Sequence, residues 1–325
     1  MKAIKYSRFG GPEVLQVVDV PKPSAGAGEI LVKVAAAGIN FFEVLMRADR
    51  YAVTPGLPMF PGVEATGTIE AVGEGVDPRL LGSRVAAPLF ASTRPFGGYA
   101  EYVTIDASLA VPLPDALSFE DATALMVQGL TALHLLRRSS PTNKSILVPA
   151  AAGGVGSLLV QLARGQGAGR IIALAGGKAK RDIALSLGAD AAVDHQATDW
   201  VAELSDVAKD GVDTIYDTVG GAMTGGLLDV LSSGGELVFA ALGRLALGAD
   251  GLEAMIGRNQ LLKGFALLPL LSADVLKASL SEAFDLAASG RLRVAIGARF
   301  PLHEAGNAHR LIGERRSTGK VVLIP

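Results

Sequence analysis

The chain has 325 residues, half of them apolar, so it is long enough for two domains with sizeable cores. Its formal net charge of −2 predicts no basic surface for nucleic acid or for anionic membranes, and no apolar run approaches the length of a membrane span. There is no cysteine, which excludes disulfides, thiol nucleophiles and cysteine-liganded metals and predicts a cytoplasmic protein.

The first 120 residues or so have the pattern of a compact, mostly β domain. Short β-like runs such as ILVKVAAAGI, ATGTIEAVG, SRVAAPLF and YAEYVTI are separated by glycine and proline. From Phe119 the pattern changes, and a first helical segment ends near Arg138.

Strand and helix signals then alternate. Six strand candidates, separated by segments of crossover length, occur at 145–149, 170–175, 191–195, 213–219, 236–242 and 261–268. This alternation predicts a doubly wound parallel sheet. A helix at about 273–289 and a β-like tail follow. The predicted fold class is therefore α/β, with a β-rich domain beside a parallel-sheet domain.

The segment SILVPAAAGGVG (145–156) carries the most informative motif. An apolar run enters a small-residue turn, and apolar residues at helical spacing follow. Gly153 and Gly154 permit a tight turn and close approach of the backbone to a pyrophosphate, while Gly156 lets the helix pack on the strand. The pattern reads Ala150-x-x-Gly153-x-x-Gly156, with the first glycine of the usual motif displaced. A lone glycine triplet also serves ordinary turns, but its strand and helix context predicts a dinucleotide site.

The second strand of this unit, 170–175, indicates which dinucleotide is bound. NAD enzymes usually carry an acid about 20 residues past the glycines, on the ribose 2′-hydroxyl. Here Gly176 and Gly177 occupy that place, and no carboxylate is expected near a 2′-phosphate. Three cations follow: Lys178, Lys180 and Arg181. The segment therefore predicts NADP(H), because cations make strong hydrogen bonds to phosphate. The alternative is a set of solvated charges that open a helix.

Several blocks along the chain together resemble the zinc-independent quinone oxidoreductases of the medium-chain dehydrogenase/reductase superfamily. The blocks, in order, are GGPEVL (10–15), GEILVKVAAAGINFFEVLMR (28–47), PMFPGVEATGTIEAVGEGV (58–76), FGGYAEYV (96–103), QGLTALHLL (128–136), AAAGGVGSLLVQLA (150–163), LGADAAVDH (187–195) and GKVVLIP (319–325). The resemblance implies a GroES-like catalytic domain from residues 1–121 and 266–325. A Rossmann NADP-binding domain, 122–265, is inserted in it, and the active cleft lies between the two.

The resemblance also bears on metals. Zinc-dependent relatives carry a cysteine, a histidine and a third ligand where this chain has Asn40, Val63 and Gln128. Neutral amides are poor zinc ligands and valine cannot bind a metal. The four histidines are scattered without ligand spacing. The sequence therefore predicts no metal site.

Without a metal, the expected chemistry is hydride delivery from NADPH to a quinone or a related α,β-unsaturated carbonyl compound, which leaves negative charge on an oxygen. By resemblance, Asn40 is the candidate amide donor to that oxygen and Tyr51 the candidate phenol donor. The alternatives are that Asn40 is a turn residue and Tyr51 a surface aromatic.

The resemblance implies further cofactor contacts. They are Gly153, Gly154, Val155 and Gly156 at the pyrophosphate, Gly176 and Lys180 at the 2′-phosphate, and Gln128, His195, Thr218, Val219, Ala241, Leu242, Gly243 and Lys320 elsewhere on the cofactor. The family often has tyrosine at the place of His195, so a plain strand-end histidine is the alternative there. Lys320, and Arg316 beside it, are weaker candidates for the cofactor or the cleft rim, and both could equally be solvated charges.

Two expectations concern partners. The apolar sixth strand, around 263–268, has no neighbour beyond it in the inferred strand order, which predicts a homodimer through that edge; a covering loop or the helix at 273–289 is the alternative. The other functions consistent with the sequence are a 2-enoyl thioester reductase and a redox-sensing or RNA-binding protein that uses NADPH only as a ligand. The absence of a basic patch or aromatic platform disfavours nucleic acid.

Overall fold

The computed structural model describes all 325 residues. The chain forms two compact units, Met1–Leu130 with Leu268–Pro325, and Thr131–Leu267. We call them the discontinuous unit and the central unit. The predicted domain boundaries, 121/122 and 265/266, differ slightly from the limits of these units and remain predictions.

The chain contains fifteen strands. In order they are β1 Lys2–Lys5, β2 Gln16–Asp19, β3 Glu29–Ile39, β4 Ala65–Val72, β5 Arg84–Ala87, β6 Tyr102–Asp106, β7 Val111–Pro112, β8 Ser145–Val148, β9 Arg170–Leu174, β10 Ala191–Val193, β11 Val212–Asp217, β12 Leu231–Phe239, β13 Leu261–Gly264, β14 Ile296–Pro301 and β15 Lys320–Ile324.

Ten α-helices accompany them. They are α1 Phe41–Arg47, α2 Phe119–Ala124, α3 Leu130–Arg138, α4 Gly154–Gly165, α5 Lys178–Ser186, α6 Trp200–Val207, α7 Met223–Leu228, α8 Ala249–Gly257, α9 Ala273–Ala288 and α10 Ala305–Gly313. A π-helical turn, Leu125–Gly129, joins α2 to α3. None of these helices combines the length and the apolar character needed to cross a membrane.

The discontinuous unit is built around β3, which pairs antiparallel with β4, β6 and β15. The seven-stranded sheet runs β14-β15-β3-β4-β5-β7, with β6 also on β3. Most residues of β3 are buried, Ile30 and Val32 completely, because this strand lies in the middle of the sheet. The pairing of β15 with β3 brings the end of the chain to the end of β3, where the candidate residues Asn40 and Lys320 lie.

The central unit has a six-stranded parallel sheet in the order β10-β9-β8-β11-β12-β13. The direction of winding reverses between β8 and β11, and ligands bind beyond the carboxyl ends of strands at such a point. Leu147, Ile172 and Ile215 are fully buried between the helical layers. The predicted α/β class, with a β-rich unit and a doubly wound parallel sheet, is confirmed.

The sixth strand is shorter than predicted. The sequence predicted a strand over 261–268, but β13 ends at Gly264 and a 3₁₀ turn covers Leu268–Leu270. β13 pairs only with β12 and is the edge of the sheet, where Leu261 is 57% exposed. The predicted homodimer through this edge stays a prediction.

Candidate functional site

The strand–turn–helix unit predicted at 145–156 is present. β8 ends at Val148 and α4 begins at Gly154, with Gly153 as its N-cap. Ala150 lies in the left-handed region with φ of 50°, and its carbonyl accepts a hydrogen bond of 2.8 Å from the Gly153 N–H. The position of the displaced glycine therefore has glycine-like backbone geometry although it carries an alanine.

Gly156 allows the first turn of α4 to pack directly on the turn that follows β8. A Cβ at this position would lie 2.3 Å from the Ala150 carbonyl oxygen and 2.8 Å from the Ala151 Cα. The first N–H groups of a helix have no acceptor within it, so those of Gly154, Val155 and Gly156 are directed out of the helix beyond the strand end. This arrangement suits a pyrophosphate, and the residues present fit a dinucleotide.

The turn between β9 and α5 holds Gly176 and Gly177. A Cβ on Gly176 would lie 2.7 Å from the end of the Gln196 side chain, so this glycine leaves room for that side chain beside the turn. The Gly177 N–H donates to Asp194, just past β10, over 2.9 Å. The expectation that no carboxylate stands at this turn is wrong, because the acid comes from the third strand and not the second. Hydrogen bonds from the Gln196 and Gly177 N–H groups lower the pKa of Asp194.

The three predicted 2′-phosphate cations differ in their surroundings. Lys178 is exposed and pairs with Asp182 at 2.7 Å. Arg181 lies 3.9 Å from Asp194. Lys180 is half-buried, and this burial lowers the pKa of its ammonium. His195 is also half-buried and directly follows Asp194; its role at the cofactor stays a prediction.

The ends of β11 and β12 lie side by side. Asp217, fully buried at the end of β11, accepts hydrogen bonds from the Val219 and Gly220 N–H groups, at 2.9 and 2.8 Å, and from the Thr224 hydroxyl, at 2.7 Å. This carboxylate orders the turn that contains the candidate Thr218. The sequence analysis missed Asp217, although an aspartate at a strand end followed three residues later by a pair of glycines is a recognisable turn signal.

Arg244 links the β11 turn to the β12 turn. Its Nε donates to the Val219 carbonyl at 2.7 Å, and its own carbonyl accepts from the Gly221 N–H at 2.7 Å. The β12 turn contains the other candidates, with Ala241 buried, Leu242 half-exposed and Gly243 in the left-handed region. The structure thus brings the predicted contacts at these two strand ends together.

In the discontinuous unit Asn40 caps α1 and is buried. Its Nδ2 donates to Glu43 at 3.2 Å and to Glu64 at 2.9 Å, while its Oδ1 accepts from the Lys320 ammonium at 2.9 Å. Two carboxylates on one side and an ammonium on the other fix the orientation of the amide. Both N–H bonds are used within the protein, so the predicted donation from Asn40 to a substrate oxygen does not match this arrangement.

Lys320 forms an ion pair with Glu64 in which neither side chain has any exposed surface. The alternative that Lys320 is a solvated charge is therefore wrong, and so is a place at the rim of a cleft. The second Glu64 oxygen accepts a 2.8 Å hydrogen bond from the Val127 N–H. Arg316, by contrast, is exposed and pairs with Glu314 at 2.6 Å.

Gly38 of β3 makes room for this pair. A Cβ there would lie 2.3 Å from a Glu64 carboxylate oxygen and 2.6 Å from the Lys320 side chain. The backbone of Gly38 is not in the left-handed region, so the glycine is required by space and not by conformation.

Glu43 completes the cluster. Its carboxylate accepts from the Asn40 N–H at 2.9 Å and from the Gly62 N–H at 3.1 Å. Burial, followed by the charge of Glu64, raises the pKa of Glu43 to about 7. Sequence analysis missed Glu43 and Glu64; the capping-box spacing of Asn40 and Glu43 was the signal available for the first of them.

Tyr51 lies against Phe42, with ring centroids 5.5 Å apart. The residue is half-buried, and its burial raises the pKa of the phenol. The phenol is therefore protonated at neutral pH and can donate a hydrogen bond. Phe42 belongs to the first turn of α1, and Asn40 is the N-cap of the same helix. Asn40 and Tyr51, the two catalytic candidates, therefore both contact the start of α1.

Gln128 lies in the π-helical turn and is half-buried, and its Oε1 makes no hydrogen bond within the protein. Val63, the second predicted ligand position, is a buried core residue. The Asn40 oxygen is already bonded to an ammonium, and no group of three or more histidine, cysteine or acidic side chains is arranged to hold a metal. These residues do not fit a catalytic zinc ion.

Comparison with known proteins gives the family. Residues 26–115 match the alcohol dehydrogenase GroES-like domain, and residues 187–323 match a family described as zinc-binding dehydrogenase. The quinone oxidoreductase of Pseudomonas aeruginosa is 34% identical over 100% of this chain and 99% of its own length. The chain belongs to the quinone oxidoreductase family. The predicted family is thereby confirmed.

Two solved structures of quinone oxidoreductases have the same fold. The Escherichia coli quinone oxidoreductase complexed with NADPH superimposes with a TM-score of 0.90, at 32% identity and with 100% of each chain covered. The Thermus thermophilus quinone oxidoreductase, whose NADPH complex was also solved, gives a TM-score of 0.82 at 35% identity, again over 100% of each chain.

Proposed function

We propose that this protein is an NADPH-dependent, zinc-independent oxidoreductase that transfers hydride to quinones or related α,β-unsaturated carbonyl compounds. The observation that carries the proposal is the turn from Ala150 to Gly156, whose free N–H groups lie at the reversal point of a doubly wound sheet. Membership of a family in which relatives are named quinone oxidoreductases, and two were solved with NADPH, supports it.

In this proposal the central unit holds the cofactor through its backbone. The N–H groups at the start of α4 neutralise the pyrophosphate, and Lys180 binds the 2′-phosphate. The turns after β11 and β12, fixed by Asp217 and Arg244, present Val219 and Ala241 to the rest of the dinucleotide. Bound NADPH supplies a hydride.

The discontinuous unit contributes Tyr51. Addition of hydride to a quinone leaves negative charge on an oxygen, and a neutral phenol lowers the energy of that charge by donating a hydrogen bond. Asn40 acts as a positioning residue, because its amide holds Glu43, Glu64 and Lys320 in one buried cluster. We further propose that the protein is cytoplasmic and that it forms a homodimer through the exposed edge of β13.

The cofactor assignment is tested with Lys180→Ala. Fluorescence titration should show NADPH binding more tightly than NADH to the unaltered protein. The substitution should weaken NADPH binding about tenfold, as expected for loss of one charge-assisted hydrogen bond, and leave NADH nearly unchanged. Lys178→Ala, which removes an exposed cation already paired with Asp182, is the matched control. Equal affinities for the two cofactors in the unaltered protein would contradict the assignment.

The reaction is tested by NADPH oxidation with a panel of simple quinones, alkenals and enoyl thioesters, each also measured with Tyr51→Phe. We expect turnover of quinones or alkenals, and a lower kcat in the variant. Turnover of thioesters alone, abolished by Tyr51→Phe, would make the protein an enoyl thioester reductase. NADPH binding without any turnover would make it a ligand-dependent sensor.

Zinc independence and oligomeric state have their own measurements. Activity should survive exhaustive chelation, and elemental analysis should find no stoichiometric zinc. Light scattering should give a dimer, and Leu262→Lys, which adds a charge to the exposed edge strand, should give a monomer. A tightly bound zinc at full occupancy, or a monomeric unaltered protein, would contradict these two proposals separately.

A further inference from the structure

Glu64 connects three separate segments of the discontinuous unit. One oxygen accepts from Asn40, at the start of α1, and from Lys320, in β15. The other accepts from the Val127 N–H over 2.8 Å. A buried ion pair adds little net stability compared with apolar residues of the same volume, so this arrangement calls for another explanation.

The contact with Val127 fixes an irregular part of a helix. Val127 belongs to the π-helical turn Leu125–Gly129, and such turns are frequent at functional sites. A second contact holds the preceding helix, because the Thr66 and Thr123 hydroxyls lie 2.8 Å apart. Glu64 and Thr66 thus attach the same short segment to the helix at two points, one in α2 and one in the π-helical turn.

The next residue, Gln128, carries an unsatisfied acceptor. Its Oε1 has no accessible surface and no hydrogen-bond partner in the protein, and leaving a buried carbonyl oxygen unbonded is unfavourable. A donor on a bound molecule would satisfy it. Suitable donors are neutral N–H or O–H groups. The carboxamide of the NADPH nicotinamide carries such an N–H, and a reduced quinone carries such an O–H.

We propose that Glu64 is a positioning residue, which fixes the π-helical turn through the Val127 N–H and thereby directs the Gln128 carbonyl oxygen to an N–H or O–H donor of a bound ligand. This inference rests on the proposed function for the identity of the ligand. According to this proposal, ligand binding depends on the Glu64 oxygen that accepts from the Val127 N–H. Lys320 is required only to compensate the negative charge of Glu64 in the interior.

The test distinguishes the role of Glu64 as a hydrogen-bond acceptor from the role of its negative charge. Two double variants remove the ion pair with side chains of similar volume, Lys320→Met with Glu64→Gln and Lys320→Met with Glu64→Met. Only the glutamine variant keeps an oxygen for the Val127 N–H. Thermal unfolding and circular dichroism select the conditions under which both variants are folded. Thr66→Val, which removes the other attachment of the segment, is the control for a purely structural effect.

The affinity for NADPH is then measured by fluorescence titration, and product inhibition is measured with added hydroquinone. We expect the glutamine variant to bind one of these two ligands about three- to tenfold more tightly than the methionine variant, the effect of one neutral hydrogen bond. An effect on NADPH identifies the carboxamide as the donor, and an effect on hydroquinone identifies the hydroxyl. Adding Gln128→Leu should remove the difference between the two variants, because Glu64 acts through Gln128.

Equal affinities of the two double variants for both ligands would overturn the inference, as would a difference that persists in the Gln128→Leu background or is reproduced by Thr66→Val. If the unaltered protein binds no NADPH, the proposed function itself fails, and the inference fails with it. The two failures are therefore distinguishable.

Discussion

The two units of the molecule build polar sites by opposite means. In the central unit the glycine turn offers backbone N–H groups, and its construction depends on the absence of side chains at Gly153 and Gly156. In the discontinuous unit Asn40, Glu64 and Lys320 form a site of buried side chains, two of them charged. The first site is made within one short segment, whereas the second needs residues from distant parts of the chain.

This difference predicts different responses to substitution. A backbone site is sensitive to added atoms, because it depends on close approach of main-chain segments at glycine positions. A site of buried charges is sensitive to the loss of one partner, because the remaining charge stays in the interior without compensation.

Removal of Lys320 should have the largest effect. Lys320→Met leaves the fully buried Glu64 without its cation and should lower the free energy of unfolding by about 3–5 kcal/mol. Urea denaturation measures the change. Arg299→Met is the control, because it breaks an exposed pair with Glu120 in the same unit and should change stability little. Similar losses in the two variants would remove the distinction between buried and exposed charges.

The second prediction concerns pH. The pKa of Glu43 is raised from 4.5 to about 7, so the folded state holds a proton that the unfolded state releases between these values. The free energy of unfolding should therefore fall as the pH rises through this window, by about 3 kcal/mol in all. Glu43→Gln should lose this pH dependence, as measured by urea denaturation between about pH 5 and about pH 8.

Glu253→Gln, which changes an exposed acid, should keep the pH dependence of the unaltered protein. Parallel stability curves for Glu43→Gln and the unaltered protein would show that Glu43 is not the group that titrates.

The third prediction applies to the backbone site. Gly156→Ala places a Cβ 2.3 Å from the Ala150 carbonyl oxygen, and the resulting shift of backbone should cost about 1–3 kcal/mol. NADPH affinity should fall in the same variant, because the N–H groups of α4 move with the turn. Gly165→Ala, at the open end of the same helix, is the matched control. Unchanged stability and affinity in Gly156→Ala would show that the close packing is not needed.

The fourth prediction is a small gain in stability. Ala150 has φ of 50°, a conformation that is unfavourable for any residue with a Cβ by roughly 1–2 kcal/mol. Ala150→Gly should remove this strain and, after the entropic cost of glycine, stabilise the protein by about 0.5–1 kcal/mol in thermal unfolding. Ala151→Gly, at a neighbouring buried position without positive φ, should destabilise instead.

The same contrast explains what could be predicted from sequence. The central unit was predictable, because apolar strands, glycine turns and crossover lengths are local patterns, and the β8 turn, α4 and the parallel sheet all match them. The cluster around Glu64 was not, since it depends on β15 pairing with β3 and thereby bringing Lys320 to Asn40. Asp194 shows the same limit. Its carboxylate reaches the Gly177 turn from another strand, so counting residues from the glycine motif could not find it.

Gly38 gives this cluster an evolutionary constraint. A Cβ at that position would overlap the Glu64 carboxylate and the Lys320 side chain as they are placed in the ion pair. A lineage that replaces the ion pair by smaller apolar residues becomes free to acquire alanine at position 38, and a lineage that has acquired alanine there is closed to regaining the pair. Space therefore couples the three positions, so a change at one of them restricts the changes that the other two can accept.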